Sequence, residues 1–197
     1  MGAFDGAPHV EAEDRETWRQ WLEANHATAS GAWLVTWRAG AGQPVLGYES
    51  AVEEALCFGW VDSRGGRIDK RRTKLYFAPR KARSGWARPN KERVQRLLAD
   101  GRMAPAGIAA VETARANGSW TALDAVERLE VPADLAASLA SRPPARDHWD
   151  AFPRSVRRAI LEWITLAKRP ETRARRIAET ATLARRNERA NQRRPRD

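Results

Sequence analysis

Side chains able to do chemistry gather in two short stretches of this sequence. The first, Tyr48–Asp62, holds Glu49, Glu53, Glu54, Cys57, Trp60 and Asp62. Glu49 and Asp62 would stand at opposite ends of a short helix, near a pocket lined by Trp60. Paired carboxylates in that position could hold a cation or move a proton. A plainer reading makes Glu53 and Glu54 helix surface, places Cys57 and Phe58 in the core, and pairs Asp62 with a neighbouring arginine. Structural ion pairs explain such carboxylates more often than catalysis does. Cys57, set between Leu56 and Phe58, should be a buried and unreactive thiol.

The second stretch, Arg80–Asn90, is basic and runs into the start of a helix. It carries Arg80, Lys81, Arg83, Ser84, Trp86, Arg88 and Asn90, with Lys91 following. Free N–H groups at a helix start, the helix dipole and several cations together make a natural anion site. Ser84 could donate to an oxyanion, and Trp86 offers a flat face to a base or a sugar. A guanidinium fits a phosphate bidentately. The alternative is a solvated loop whose Trp86 plugs the core. Neither GxxxxGK[ST] nor GxGxxG occurs, so no glycine-rich phosphate loop is expected.

Weaker signals lie elsewhere. Arg64–Lys74 contains six basic residues and could track a nucleic-acid backbone, or form a solvated ribbon. Near the C-terminus Arg173, Arg176 and Thr180 would share a helix face, beside Arg169 and Arg185. Pairs such as Glu171 with Arg175 favour simple helix support there. The histidines, His9, His26 and His148, are far apart, so no Ser-His-Asp arrangement or histidine metal centre is expected. A single cysteine excludes a disulfide framework and a multi-thiolate zinc site. No catalytic residue, metal or cofactor is assigned.

These groups need elements to position them. Asp14 should cap a helix to about Asn25, with Trp18, Trp21 and Leu22 on one face. Ala32–Arg38 reads as a strand. Ser50–Phe58 reads as a helix, with Ser50 and Glu53 at capping-box spacing. Trp60–Arg64 and Arg67–Phe77 read as strands turning at Gly65-Gly66. Helices follow from Pro89 or Asn90 to Asp100, Pro105 to Asn117, Pro132 to Ala140, Ser155 to Lys168 and Glu171 to Asn187. The fold class is therefore α+β: a small antiparallel sheet with flanking helices over residues 10–100, then a C-terminal helical region over 101–190. Residues 1–9 and 191–197 read as flexible tails.

The chain has 197 residues and a formal charge of +10. That charge is uneven. Residues 57–100 carry thirteen basic and four acidic side chains, and residues 151–197 carry fourteen and five, against three and nine in residues 1–56. Such blocks attract phosphate and other anions. No apolar run approaches the roughly 18 residues of a membrane helix. The acidic N-terminus lacks an apolar core, so no secretory signal is read and a cytoplasmic location is expected.

Three blocks carry a resemblance: Tyr48-Glu49 with VEEALCFGWVD (Val52–Asp62), RKARSGWARPNKERVQRLLADGRMAPAG (Arg80–Gly107) and ETRARRIAETATLARRNER (Glu171–Arg189). In this order they resemble the YdeI/OmpD-associated, or bacteriocin-protection, family. The resemblance implies a stress- or antimicrobial-protection protein without agreed catalytic residues. Joined to the residue reading, it points to an anionic ligand in a basic cleft formed by Arg80, Lys81, Ser84, Trp86, Asn90, Glu49, Trp60 and Asp62. The alternatives are a nucleic-acid-binding module using the two Arg-rich blocks, and a small enzyme with Glu49 or Asp62 as base.

Overall fold

The computed structural model describes residues 4 and 6–191. The expected tail over 192–197, and residues 1–3 and 5, lie outside the described residues. The chain divides into two units. One runs to Ser84 and resumes over Pro89–Trp120; the other comprises Gly85–Arg88 and the chain from Thr121 onward.

The first unit is built on a four-stranded sheet of order β1-β2-β4-β3. Its elements are β1 (His9–Glu11), α1 (Arg15–Asn25), β2 (Ala32–Trp37), α2 (Tyr48–Cys57), β3 (Trp60–Arg67), β4 (Arg72–Pro79), α3 (Arg88–Ala99, with Pro89 onward in this unit) and α4 (Pro105–Ala116). β2, β4 and β3 pair antiparallel, whereas β1 joins β2 in parallel. Residues 9–11, read partly as tail, are thus a strand. Val10 is buried, and the Trp33 N–H donates to the Pro8 carbonyl at 2.8 Å.

Directly opposed residues share a sheet face. Ala32 faces Phe77, Leu34 faces Leu75, Thr36 faces Thr73, and Asp62 also opposes Phe77. This is the helix-covered face: Trp18 of α1 lies 5.4 Å from Phe77 and donates its indole N–H to the Ala51 carbonyl of α2. Trp33, Val35, Trp37, Arg72, Lys74 and Tyr76 belong to the other face. Asp14 caps α1 as expected, its carboxylate accepting the Thr17 N–H at 2.8 Å.

Two local readings change. α2 begins at Tyr48, with Gly47 as the uncapped N-cap residue, so Ser50 sits inside the helix. Gly65 and Gly66 lie within β3, opposite Leu75 and Lys74, where the ladder shifts register between Asp62 and Gly65. The chain reverses after Arg67 instead. There Asp69 Oδ1 accepts the N–H groups of Arg71 and Arg72 at 2.8 and 2.7 Å. An Asp side chain that substitutes for a backbone acceptor sets this turn more firmly than the glycines do.

The second unit packs α5 (Asp124–Glu127), α6 (Ala133–Ala140), α7 (Ala145–Ala151), α8 (Arg154–Thr165) and α9 (Pro170–Arg185). Their shared core includes Leu135, Leu139, Trp149, Ile160, Ile164 and Ile177. His148 of α7 shares a 2.8 Å hydrogen bond with the Ala184 carbonyl of α9. The architecture is the expected α+β sheet followed by helices, with α4 belonging to the sheet unit. Among the described residues no helix is long and apolar enough to cross a membrane.

Candidate functional site

α2 carries Glu49, Glu53 and Glu54, and arginines from other parts of the first unit meet each of them. Glu54 is fully buried. Arg19 donates to it at 2.9 Å, Arg102 donates to its other oxygen, and Arg15 stands at 3.5 Å. Glu53, half-buried, takes Arg15 at 2.6 Å. The surface reading of these two carboxylates is therefore corrected. α2 turns this side toward α1 and the segment after α3, and a carboxylate enclosed there needs cationic partners. Beneath them Cys57 is buried and free; burial pushes its thiol up, and the charge of Glu54 adds to this.

At the N-terminal end of α2 a second polar network forms. The Tyr48 hydroxyl donates to Asp62 Oδ2 at 3.1 Å. Arg93 of α3 holds Glu49 bidentately, Nε to Oε1 at 2.8 Å and Nη2 to Oε2 at 2.7 Å. Its remaining nitrogen, Nη1, donates to Asn90 Oδ1 at 2.8 Å. Arg80, at the end of β4, is near enough to Asp62 to feel its charge, while burial pulls its guanidinium down to about 10. Burial and then Asp62 push the Tyr48 phenol up. The Arg93 guanidinium draws Glu49 below the usual carboxylate range.

Four of the eight expected site residues, Glu49, Asp62, Arg80 and Asn90, thus come together. The other four do not join them. Trp60 is buried, its indole donating to the His26 carbonyl at 3.3 Å and its ring meeting Trp21 edge-on. Trp86 is 1% exposed and belongs to the second unit. Neither tryptophan offers a flat face to a ligand, because indoles this large contribute most when buried as core. The Ser84 hydroxyl donates to the Lys81 carbonyl at 2.8 Å and closes a turn, and Lys81 is exposed. The network also includes Tyr48 and Arg93, which the sequence reading left out. Arg93 lies three residues after Asn90, on the same helix face, and that spacing was the available signal. Arg80 and Arg93 balance Glu49 and Asp62, so the assembled network carries no net positive charge.

Tyr48 also borders a groove of about 310 Å³ on the helix-covered side of the sheet. Leu34, Leu75, Val45 and Leu46 make it mainly apolar, with Thr36, Thr73 and Lys74 adding polar groups and Trp37 at its border. Gly65, lying opposite Leu75, adds no side chain to fill it.

The first unit is thus a helix-flanked sheet carrying a polar network beside an apolar groove, an arrangement that specifies no reaction. Residues 10–110, just over half the chain, match the family described as a domain of unknown function (DUF8412), and the chain belongs to that family. Residues 128–187 match the model described as bacteriocin-protection, YdeI or OmpD-associated, the family that the sequence resembles. Most of the Glu171–Arg189 block falls in this second match, whereas the two earlier blocks fall in the first. No curated protein and no solved structure matches the chain.

Proposed function

We propose that the protein is a cytoplasmic protection protein of the bacteriocin-protection type that binds a small molecule with an apolar body and an anionic group. One observation carries the reading: Tyr48 lines the apolar groove and also donates to Asp62 in the charged network. A ligand body would lie against Leu34, Leu75 and Val45, where it leaves water. Its anionic group would take the fork of Arg93. Glu49 fills that fork now, but its side chain is 55% exposed, so the ion pair is weak enough to exchange. Arg80, with its lowered basicity, remains charged at neutral pH and adds attraction for the same group.

The carboxylate-base alternative has less support, since Glu49 and Asp62 are both engaged by neighbours. The test is calorimetric binding of alkyl and aryl carboxylates and phosphates to the full chain. Wild type should bind at least one class. Glu49→Gln, which frees the Arg93 fork, should tighten binding by about tenfold, the scale of one charge-assisted hydrogen bond. Arg93→Gln should abolish it. Absence of binding to both wild type and Glu49→Gln would overturn the proposal.

A further inference from the structure

The face of the sheet turned away from α1 and α2 is chemically unlike the groove. It interleaves aromatic rings and cations. Trp33 lies under the Lys74 ammonium, 4.3 Å from its ring centre. Trp37 lies under two guanidiniums, Arg71 at 5.2 Å and Arg72 at 5.7 Å. Phe4 packs edge-on against Tyr76 at 4.8 Å, with Arg64 at 5.6 Å from its own ring. The hairpin tip continues the basic surface through the exposed Lys70, whereas Arg67, opposite Thr73, belongs to the groove face. From Arg64 to Lys74 there are six basic residues and one acidic residue, Asp69. Asp69 and Glu11 both engage Arg72, so the remaining cations of this arm lack a carboxylate partner among the described residues.

We infer that this face and the β3–β4 hairpin bind single-stranded nucleic acid. Phosphates would be held by Arg64, Lys70, Arg71 and Lys74, and a base would stack on Trp37. Of the two cations over Trp37, Arg72 is tied to Asp69 and Glu11, whereas the exposed Arg71 donates to the Ala41 carbonyl at 2.6 Å and is the one that can move. A base can take its place while the cation swings to a phosphate, which keeps both interactions. The half-buried Trp37 is the accessible platform; Trp33 is buried beneath Lys74. Rings of this kind need unstacked bases, which a duplex does not offer. Trp37 and Lys74 also border the groove, but Arg64, Lys70 and the Phe4–Tyr76 pair do not, so substitutions at Arg64 and Lys70 test this inference separately from the small-molecule proposal.

The test uses the full chain and labelled 12-nucleotide oligo-dT and oligo-U, followed by anisotropy from low to high salt. Binding should weaken with salt on a log–log slope of about 3, the value for four single-strand phosphates at about 0.7 each. Arg64→Glu with Lys70→Glu should weaken binding at least about tenfold and lower the slope by about 1.4, two phosphates on the same scale. Trp37→Ala should weaken binding and leave the slope unchanged. Circular dichroism checks the fold, and Arg64→Gln with Lys70→Gln replaces the reversal if that variant unfolds. Any of three results would overturn the inference: no binding at low salt, affinity unmoved by these substitutions, or binding to anionic phosphatidylglycerol vesicles but not to the oligonucleotides.

Discussion

Glu49 and Glu54 sit on one helix and both meet arginines, yet their energetics differ. Glu54 is enclosed, and its loss would strand the Arg19 and Arg102 head groups in partly buried positions. Removing one member of such a cluster costs far more than the pair is worth in isolation. Glu54→Gln should therefore destabilise the protein by about 3 kcal/mol, the low end for a buried pair because these guanidiniums keep some contact with water. Glu49→Gln should change stability by no more than about 1 kcal/mol. Urea denaturation of both variants measures the contrast, and equal losses would contradict it. Sequence could not separate the two residues. Glu54 finds Arg19 and Arg102 at separations of 35 and 48 positions, and nothing local distinguishes it from a solvated glutamate. Asn90 and Arg93 form a local pair and were within reach.

At the level of elements, α4 meets the end of α2 through a glycine. A Cβ on Gly107 would stand 2.7 Å from the Cys57 carbonyl carbon, closer still to its oxygen, and 2.8 Å from Met103 Cε. That carbonyl also accepts the Ala104 N–H at 3.0 Å, so it has little freedom to withdraw. In an open helix a Gly→Ala change gains about 1 kcal/mol. Here Gly107→Ala should instead cost about 2 kcal/mol through overpacking, read as a lower melting temperature. A gain in stability would mean that the helices separate easily. The longer helices were legible because apolar residues recur at helical spacing, as in Val156, Ile160 and Ile164 of α8. α5 and α7, of four and seven residues, are too short to display a period. The hairpin turn was misplaced because a glycine pair resembles a two-residue turn, whereas here the pair serves a register shift and Asp69 makes the turn.

Across the molecule, acid should be the main threat to the native state. Arg93 lowers Glu49, Arg158 lowers Glu127 and Arg173 lowers Asp134, each mainly through a side-chain hydrogen bond. A carboxyl group depressed in the folded state stabilises above its unfolded pKa, and that contribution is lost as pH falls through the folded value. The melting temperature should therefore be flat from about pH 8 to 5 and fall below about pH 4.3, the ordinary glutamate value. A chain already at +10 also gains net charge as these groups protonate, which steepens the fall. A melting temperature unchanged down to about pH 3 would show that the pairs contribute nothing. The two family matches follow the division into units, one ending at residue 110 and the other starting at residue 128, on either side of Trp120. Charge and periodicity made both halves visible in the sequence, but the placement of α4 depends on its packing against α2.

The irregularity between Asp62 and Gly65 has a bearing on solubility. β3 is an outermost strand of its sheet, with β4 on its one paired side. A long, flat, apolar margin there would invite a second chain to add on and seed aggregates. Instead the strand shifts register partway along, includes two glycines, and carries Asp62, Arg64 and Arg67. β1, at the opposite margin, is only three residues long. Both borders of the sheet therefore discourage strand-to-strand association, and the arm that bears much of the positive charge can stay exposed at high concentration without acting as a template.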